Sequence, residues 1–346
     1  DTNRIYADRR HDHPGKTGGP EMNPLNRFLK LTFQPTEEEI EQLQRPGTGF
    51  YTVEVRPPKR EKIPSVPSEF VKGVTELQSK WFGVKNTSPI VSFEIRRSHP
   101  GKLRFQFSVP TKRLERKLRT HLTNQIPGVR FSEGAGGVPV TSEDTVGGGL
   151  LTTGRKDWYP LRHDHNDPPN NSVASALHRH AMRDTKFLIQ ILFQPVIGKP
   201  LRRWYWRKRA YQRISYLRKE KEKLWGSRSA TPREKRQANS IEDKAGTNRF
   251  HTSIRFLVIG AGEYTQSRVK EVSGGYNTFE NPETGQYLNT KTVKTLRRNT
   301  LFDFTQAVRD RKFSGWSRSF QTSNPELASL LSLPNTQQEN IQTAEP

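Results

Sequence analysis

The clearest structural pattern in the sequence lies in two neighbouring stretches, IVSFEIRR at Ile90–Arg97 and KLRFQFSVP at Lys102–Pro110. Each stretch alternates apolar and polar residues, which is the pattern of a strand with one buried face. His99, Pro100 and Gly101 lie between them and favour a turn. The two stretches therefore predict an antiparallel β-hairpin.

Around this hairpin, the predicted elements fall into two α+β units. Before residue 135 the order of elements is strand, helix, strand, strand, helix, strand. This order is typical of an antiparallel sheet with helices on one face. The second unit opens with KFLIQILFQP at Lys186–Pro195, which shares its start and its end with RFLKLTFQP at Arg27–Pro35. We therefore predict an α+β fold of two related sandwich-like units, with a long basic helical insertion in the second. The alternative is a coincidence between two short amphipathic strands.

The predicted boundaries follow shifts in composition. Two helix starts carry capping boxes, Thr36 with Glu39 and Ser323 with Glu326. The predicted segments are a flexible basic arm at 1–24, a first α+β unit at 25–135, a Gly/Pro-rich connector at 136–182, a second α+β unit at 183–334 with a basic helix at 201–225, and a polar tail at 335–346.

Charge and composition limit the class of protein. Lys and Arg number 58 and Asp and Glu 35, which gives a net charge of +23 and points to nucleic acid, an anionic membrane surface or an acidic protein face as partner. The chain has no cysteine, so disulfide scaffolds, thiolate metal sites and a cysteine nucleophile are excluded. Apolar runs such as Phe187–Phe193 are far shorter than the roughly 20 residues that span a bilayer. We predict a cytoplasmic protein, with the inner face of the membrane as an alternative place.

The strongest local feature is the basic aromatic helix predicted at Leu201–Trp225. It carries ten basic and two acidic residues. The predicted buried stripe of this helix consists of Trp204, Tyr211, Ile214, Leu217 and Leu224. Its basic face, and that of a second predicted helix at Thr111–Ile126, are candidates for contact with phosphates. The alternatives are the solvated face of a packed helix and a helix at an anionic membrane.

The candidate residues for binding nucleic acid or another partner are the basic residues of these two helices. They are Arg202, Arg203, Arg207, Lys208, Arg209, Arg213 and Arg218 in the first, and Lys112, Arg113, Arg116 and Lys117 in the second.

A glycine-rich segment at Gly149–Lys156 is close to a phosphate-binding P-loop. In a P-loop, a lysine follows the second glycine, and a serine or threonine follows the lysine. Here Arg155 stands where the lysine is needed and Lys156 where the hydroxyl is needed. We therefore predict a glycine hinge rather than a nucleotide site.

Two histidine pairs are candidates for a metal site. His163 and His165 flank an aspartate, and His11 and His13 repeat that pattern. Residues two apart share a face on a strand, so such a pair suits a metal-dependent relaxase or nuclease. Both pairs lie in polar, loop-like segments, which favours solvated loop residues. We predict no metal site and no catalytic site, with His163 and His165 as weak metal candidates.

The order of these segments resembles a known family. The motifs are the hairpin IVSFEIRRSHPGKLRFQFSVP, the helix TKRLERKLRTHLTNQIPGVRF, the strands KFLIQILFQPV and FHTSIRFLVIG, and the closing helix NPELASLLSLPN. Over Arg27–Asn335 their order and spacing resemble the region ahead of the motor in conjugation and type IV secretion ATPases, above all an archaeal-type conjugative group. In that family a phrase like ELASLLSLP, here at Glu326–Pro334, comes shortly before the nucleotide-binding domain.

The resemblance implies a role in docking the motor, in hexamer contacts or in attachment to the secretion channel. The family's Walker A, Walker B and arginine-finger residues have no matching positions here, so no cofactor is predicted, and ATP and Mg²⁺ are expected only with a motor domain. The predicted function is a non-catalytic docking and assembly module of a conjugative DNA-transfer ATPase, of plasmid type. Its partners would be DNA, the membrane, a motor domain or channel subunit, and further copies of itself. The alternatives are a stand-alone DNA-binding protein of a mobile element and the histidine-pair relaxase or nuclease.

Overall fold

The computed structural model describes residues 29–59, 68–76, 78–80, 85–98, 101–178, 184–197, 200–223, 226–314, 317–335 and 341. The predicted arm at 1–24, with His11 and His13, lies outside these residues. So do His99 and Pro100 of the predicted turn, and most of the predicted tail.

In chain order, the strands are β1 (Thr32–Phe33), β2 (Tyr51–Arg56), β3 (Ser79–Lys80), β4 (Lys85–Asn86), β5 (Val91–Arg97), β6 (Arg104–Val109), β7 (Arg130–Glu133), β8 (Val146–Thr153), β9 (Lys186–Pro195), β10 (Lys221–Lys223), β11 (Gly226–Arg228), β12 (Arg249–Ile259), β13 (Leu288–Thr292) and β14 (Phe320–Ser323). The α-helices are α1 (Glu37–Gln44), α2 (Ser68–Val74), α3 (Lys112–Gln125), α4 (Asn170–His178), α5 (Pro200–Arg218), α6 (Pro232–Gly246), α7 (Thr265–Gly274), α8 (Arg298–Arg309) and α9 (Asn324–Leu330). None of the described helices is both long enough and apolar enough to cross a membrane.

Ten strands of the described residues form one antiparallel sheet. Its order is β1–β8–β12–β9–β5–β6–β2–β7, with β13 also paired to β8 and β14 to β12. The predicted hairpin is confirmed as β5 and β6, where Phe93 lies opposite Phe107 and Ile95 opposite Phe105. The predicted α+β fold with an antiparallel sheet is confirmed as well, but helices cover both faces of the sheet and not one face only.

The pairing of β5 with β9 joins the two predicted units into one sheet. Along this seam the strands run in register from Val91 opposite Phe193 to Arg97 opposite Phe187. The two strands that share a sequence pattern occupy different positions: β9 is central, between β12 and β5, whereas β1 lies on the outer side of β8. The shared pattern therefore does not mark equivalent positions in the sheet.

Two cores lie on opposite faces of this sheet, because side chains alternate along each strand. On β12, Ile254, Phe256 and Val258 belong to the larger core, and Leu257 and Ile259 belong to the smaller one. The larger core is covered by α2, α3, α4, α7 and α9, and the smaller core by α1 and α8.

Local signals fix several helix ends. The predicted capping boxes of Thr36 with Glu39 and of Ser323 with Glu326 are both confirmed, at the starts of α1 and α9. A capping box satisfies donors that the first turn leaves free. In α3, the leucines at 114, 118 and 122 are buried, as their four-residue spacing predicts.

A buried carboxylate, Glu94, lies on the face of β5 opposite the larger core. Its oxygens lie 3.0 Å from Arg311 Nε and 3.2 Å from Arg96 Nη1. The side-chain amides of Gln106 and Gln190 donate to the same carboxylate, at 2.7 Å and 3.0 Å. Burial alone would raise the pKa of Glu94, but the guanidinium charges and the amide hydrogen bonds hold it below its ordinary value.

A further buried cation, Arg255 of β12, lies beside this cluster. It donates hydrogen bonds to the Lys312 carbonyl at 2.8 Å, to Ser317 Oγ at 3.1 Å and to Gln190 Oε1. Burial lowers its pKa to about 9, so the side chain stays charged at neutral pH. Glu94 and Arg255 thus share Gln190 as a hydrogen-bond partner, which connects the two predicted units through polar groups.

The predicted connector at 136–182 is corrected by the structure, because it contains β8 and α4. Strand β8 reads VGGGLLTT, and its three glycines resemble a loop signal. They leave room for neighbours in the sheet and above it. A Cβ atom on Gly148 would lie 2.1 Å from the Phe256 carbonyl oxygen, and one on Gly149 would lie 2.5 Å from Val269 Cγ1. The glycine hinge predicted there is therefore a closely packed strand.

Candidate nucleic-acid interface

Helix α5 carries the predicted basic face, but it buries a different stripe from the predicted one. It ends at Arg218, before strand β10, so the helix predicted at 201–225 is too long. Trp204 and Tyr211, predicted to be buried, are 56% and 45% exposed, and Leu224 lies outside the described residues. Among the described side chains of α5, the buried ones are Trp206, Ala210, Ile214 and Leu217.

Helix α6 covers the buried stripe of α5. It begins with a capping box of Thr231 and Glu234, and Pro232 lies in its first turn. Its Ala238 and Ile241 pack against the buried stripe of α5 in a separate small core. The sequence analysis predicts no helix in this region, although the pattern Thr-Pro-x-Glu is a usable helix-start signal.

Buried polar contacts hold the α5–α6 pair against the sheet. Trp206 donates its Nε1–H to Asp157 at 2.8 Å, and Arg249 of β12 lies 4.0 Å above the Trp206 ring. Lys244 of α6 and Glu326 of α9 form a buried ion pair at 2.9 Å. Because a buried charge without a partner is costly, this pair favours one placement of α6 on the sheet.

The outer face of α5 combines exposed aromatic rings with cations. The rings are those of Trp204, Tyr205, Tyr211 and Tyr216, which are 56%, 60%, 45% and 54% exposed. Three of them lie beside a cation: Lys208 at 4.5 Å from Trp204, Arg209 at 5.9 Å from Tyr205, and Arg213 at 4.8 Å from Tyr216. These distances are those of cation–π contacts.

Two of the predicted binding cations instead join α5 to α6. Arg207 donates a hydrogen bond of 3.3 Å to the carbonyl of Ala245. Arg218 forms an ion pair of 2.6 Å with Glu242. Both side chains therefore have a partner inside the helix pair.

Of the five other predicted cations of α5, the structure describes the side chains of Lys208, Arg209 and Arg213. Among the described residues, none of these three forms an ion pair with a carboxylate, and each lies beside an exposed aromatic ring. The side chains of Arg202 and Arg203 lie outside the described part of the structure. Among the described side chains of α5, the cations without a carboxylate partner thus lie from Lys208 onward, beside the exposed rings.

The second predicted basic helix, α3, belongs to another layer. It packs against α2, β2 and β6, whereas α5 packs against α6. Glu76 pairs with Arg113 and lies 3.6 Å from Lys117, so two of the four predicted cations of α3 share one carboxylate partner. Lys112 and Arg116 are exposed.

The P-loop-like segment contributes to a pocket beside α5. Its first glycine, Gly149, lies inside β8, and Arg155 and Lys156 lie in the loop that follows that strand. These two residues and Arg213 line an open pocket of about 700 Å³. Sequence reasoning missed this pocket because Arg213 is far away in the chain and no local pattern connects it with the loop.

The histidine pair is engaged with the main chain. His163 Nδ1 lies 3.3 Å from the Leu161 carbonyl, and His165 Nε2 lies 3.2 Å from the Arg162 carbonyl. His165 packs on Phe279, and burial lowers the pKa of His165. Within the described ranges, no group of three or more histidine and acidic side chains is placed to hold a metal ion.

Comparison with known proteins places the chain in a family. No curated protein matches the sequence. Residues 26–346 match the family described as Domain of unknown function (DUF8128), a range that includes the whole sheet and the α5–α6 pair. Since this match covers nearly the full length, the chain belongs to the DUF8128 family.

Proposed function

We propose that the chain binds single-stranded DNA along the outer face of α5. The observation that carries this proposal is the set of four exposed aromatic rings, three of them beside cations that form no ion pair among the described residues. Bases of a single strand stack on aromatic side chains, while Lys and Arg hold the phosphates between them. The net charge of +23 adds a long-range attraction for the same polyanion.

The exposed rings favour a single strand over a duplex. In a duplex the bases stack on each other, and a protein reaches mainly phosphates and groove edges. A ring such as Trp204, which is 56% exposed, gains little from phosphates alone. Unpaired bases cover such rings and so remove apolar surface from water.

A membrane surface fits the outer face of α5 less well. A helix that lies in a membrane interface separates an apolar face from a charged face. The apolar stripe of α5 is already covered by α6, and its outer face mixes rings and charges. Binding to anionic lipid vesicles with the same affinity as to DNA would favour the membrane instead.

Anisotropy of a labelled single strand of about 16 nucleotides tests the proposal. Lys208→Glu combined with Arg209→Glu is expected to weaken binding about tenfold or more and to flatten its dependence on salt, because fewer phosphates are neutralised. The matched control, Lys112→Glu with Arg116→Glu, makes the same change of charge on α3. Equal losses in the two double variants would show that net charge alone drives binding.

A separate variant tests the stacking of bases on the exposed rings. Trp204→Ala is expected to weaken the binding of the single strand about tenfold, because one base loses its stacking partner. The salt dependence is expected to stay unchanged, since the ring carries no charge. Unchanged affinity in this variant would remove base stacking from the proposal.

We also propose that this binding serves a docking and assembly module of a conjugative DNA-transfer ATPase. The support is the order of motifs over Arg27–Asn335 together with a surface suited to a transferred single strand. The reading frame after Pro346 in the native gene tests this part. A strand followed by Gly-x4-Gly-Lys-Ser/Thr supports it, and a stop codon contradicts it in favour of a stand-alone DNA-binding protein.

A further inference from the structure

An open pocket of about 700 Å³ lies where the loop after β8 meets α5. The loop contributes Arg155, Lys156 and Tyr159, and α5 contributes Arg213. Ser319 and Phe320 also line it. The volume lies within the range of small-molecule pockets in proteins.

The charges around this pocket favour an anion. Arg155, Lys156 and Arg213 supply three positive charges, and none of them forms an ion pair with a carboxylate in the described part of the chain. The one acidic side chain in the lining is Asp157. Its two oxygens already accept hydrogen bonds of 2.8 Å, from Trp206 Nε1 and from the Gln321 main-chain N–H.

A fully buried side chain, Gln286, holds this loop in place through hydrogen bonds to its main chain. The Gln286 side-chain oxygen accepts from the Arg155 N–H at 2.9 Å. Its amide nitrogen donates to the carbonyls of Lys156, at 3.1 Å, and Tyr159, at 2.9 Å. A loop fixed by this many contacts needs little ordering when a ligand binds.

Tyr159 connects the cations of the loop with the cation of α5. The Arg155 guanidinium lies 3.7 Å above the Tyr159 ring, and Arg213 Nε donates to the Tyr159 hydroxyl. Because this hydroxyl accepts from Arg213, its own proton is available to a ligand oxygen. The pocket lining therefore offers guanidinium, ammonium and hydroxyl donors.

We propose that this pocket binds a phosphate monoester. Such a group carries a charge of roughly −1.5 to −2 at neutral pH and three acceptor oxygens, which suits three cations better than the single charge of a phosphodiester does. Two sources share this chemistry: the terminal phosphate of a DNA strand and a free mononucleotide. Only the first source rests on the proposed function, because it requires the strand on α5.

The test compares three labelled oligonucleotides of one sequence: 5′-phosphorylated, 3′-phosphorylated and unphosphorylated. A terminal phosphate at one end is expected to raise affinity about tenfold. Lys156→Gln is expected to remove that gain and to leave the affinity for the unphosphorylated strand unchanged. Lys156 is exposed, so its loss spares the fold, and Lys270→Gln on α7 is the matched control that keeps the gain.

Calorimetry with AMP as the probe tests the second source, a free mononucleotide, without any DNA strand present. AMP binding that Lys156→Gln weakens, without any gain from terminal phosphates, supports the pocket with a free mononucleotide as its ligand. Equal affinity for all three oligonucleotides together with no AMP binding overturns the pocket and leaves the binding of DNA by α5 intact. If no oligonucleotide binds, the proposed function fails, and the AMP measurement still decides the pocket.

Discussion

Glu94 shows how single residues connect distant parts of this chain. Its carboxylate lies in the first half of the sequence, and its partner Arg311, at 3.0 Å, lies in the second half. Both side chains are only 1% exposed. Removing one member of a buried ion pair leaves the other charge without compensation, which costs about 3–5 kcal/mol.

Glu94→Gln is therefore expected to lower the free energy of unfolding at pH 7 by about 3 kcal/mol. The pKa of Glu94 is below its ordinary value of 4.5, so its stabilising effect is complete above that value and is lost as pH falls through the lower pKa of the folded state. The difference between wild type and variant should shrink in the same range. Urea unfolding at pH 7 and below pH 4.5 measures both effects.

The control for this prediction is Glu143→Gln, because Glu143 is exposed. This variant is expected to unfold within about 0.5 kcal/mol of wild type. The same unfolding midpoint for Glu94→Gln and Glu143→Gln would contradict a stabilising role for the buried cluster. Some acid sensitivity will persist in Glu94→Gln, since the pKa values of Glu39, Asp144 and Asp310 are also lowered.

Among the elements, α5 has two possible apolar stripes that fit the same helical period, and only one of them is buried. The sequence favoured a stripe with Trp204, whereas the structure buries Trp206, which is 8% exposed. Trp206→Ala is expected to destabilise the protein by about 3 kcal/mol, through a cavity and a lost hydrogen bond to Asp157. Trp204→Ala is expected to stay within about 0.5 kcal/mol of wild type. Thermal unfolding measures the loss of stability in each variant. A larger loss in Trp204→Ala than in Trp206→Ala would favour the predicted stripe instead.

The elements that the sequence predicts carry a clear apolar pattern, and those that it misses do not. β5 and β6 read as strands because apolar and polar residues alternate in them, and β9 and β12 because each contains a short apolar run. α3 reads as a helix because its leucines recur every fourth position. β8 was missed because its glycines, which its neighbours in the sheet and in α7 require, resemble loop signals. The stripe of α5 was wrong because Trp and Tyr occur on several of its faces, so spacing alone does not choose among them.

The candidate site was predictable only in part, because local sequence shows which residues are basic but not which of them are paired. Its basic residues are local in sequence, and Lys208, Arg209 and Arg213 were all identified as candidates. Which cations are neutralised depends on partners far along the chain, such as Glu242 for Arg218 and Glu76 for Arg113. Such pairings arise from the tertiary fold and leave no mark in the local pattern.

At the scale of the whole molecule, the seam between β5 and β9 determines whether the two predicted units are independent. The larger core draws Phe93 and Phe105 from the first half and Ile189 and Phe256 from the second. The buried cluster around Glu94 crosses the same seam on the other face. Both faces of the sheet therefore couple the halves, which favours a single cooperative unfolding unit.

This coupling predicts one urea transition, with the same midpoint by far-UV circular dichroism and by tryptophan fluorescence. The fragment 25–135, expressed alone, is expected to show no cooperative transition. It would expose the edge of β5 and the apolar residues that β9 covers, and it would leave Glu94 without Arg311. Two transitions in the whole chain, or a cooperative transition in the fragment, would instead make the first unit a domain that folds on its own. The seam would then be a docking surface between two domains, and α5 would belong to a module separable from the hairpin of β5 and β6.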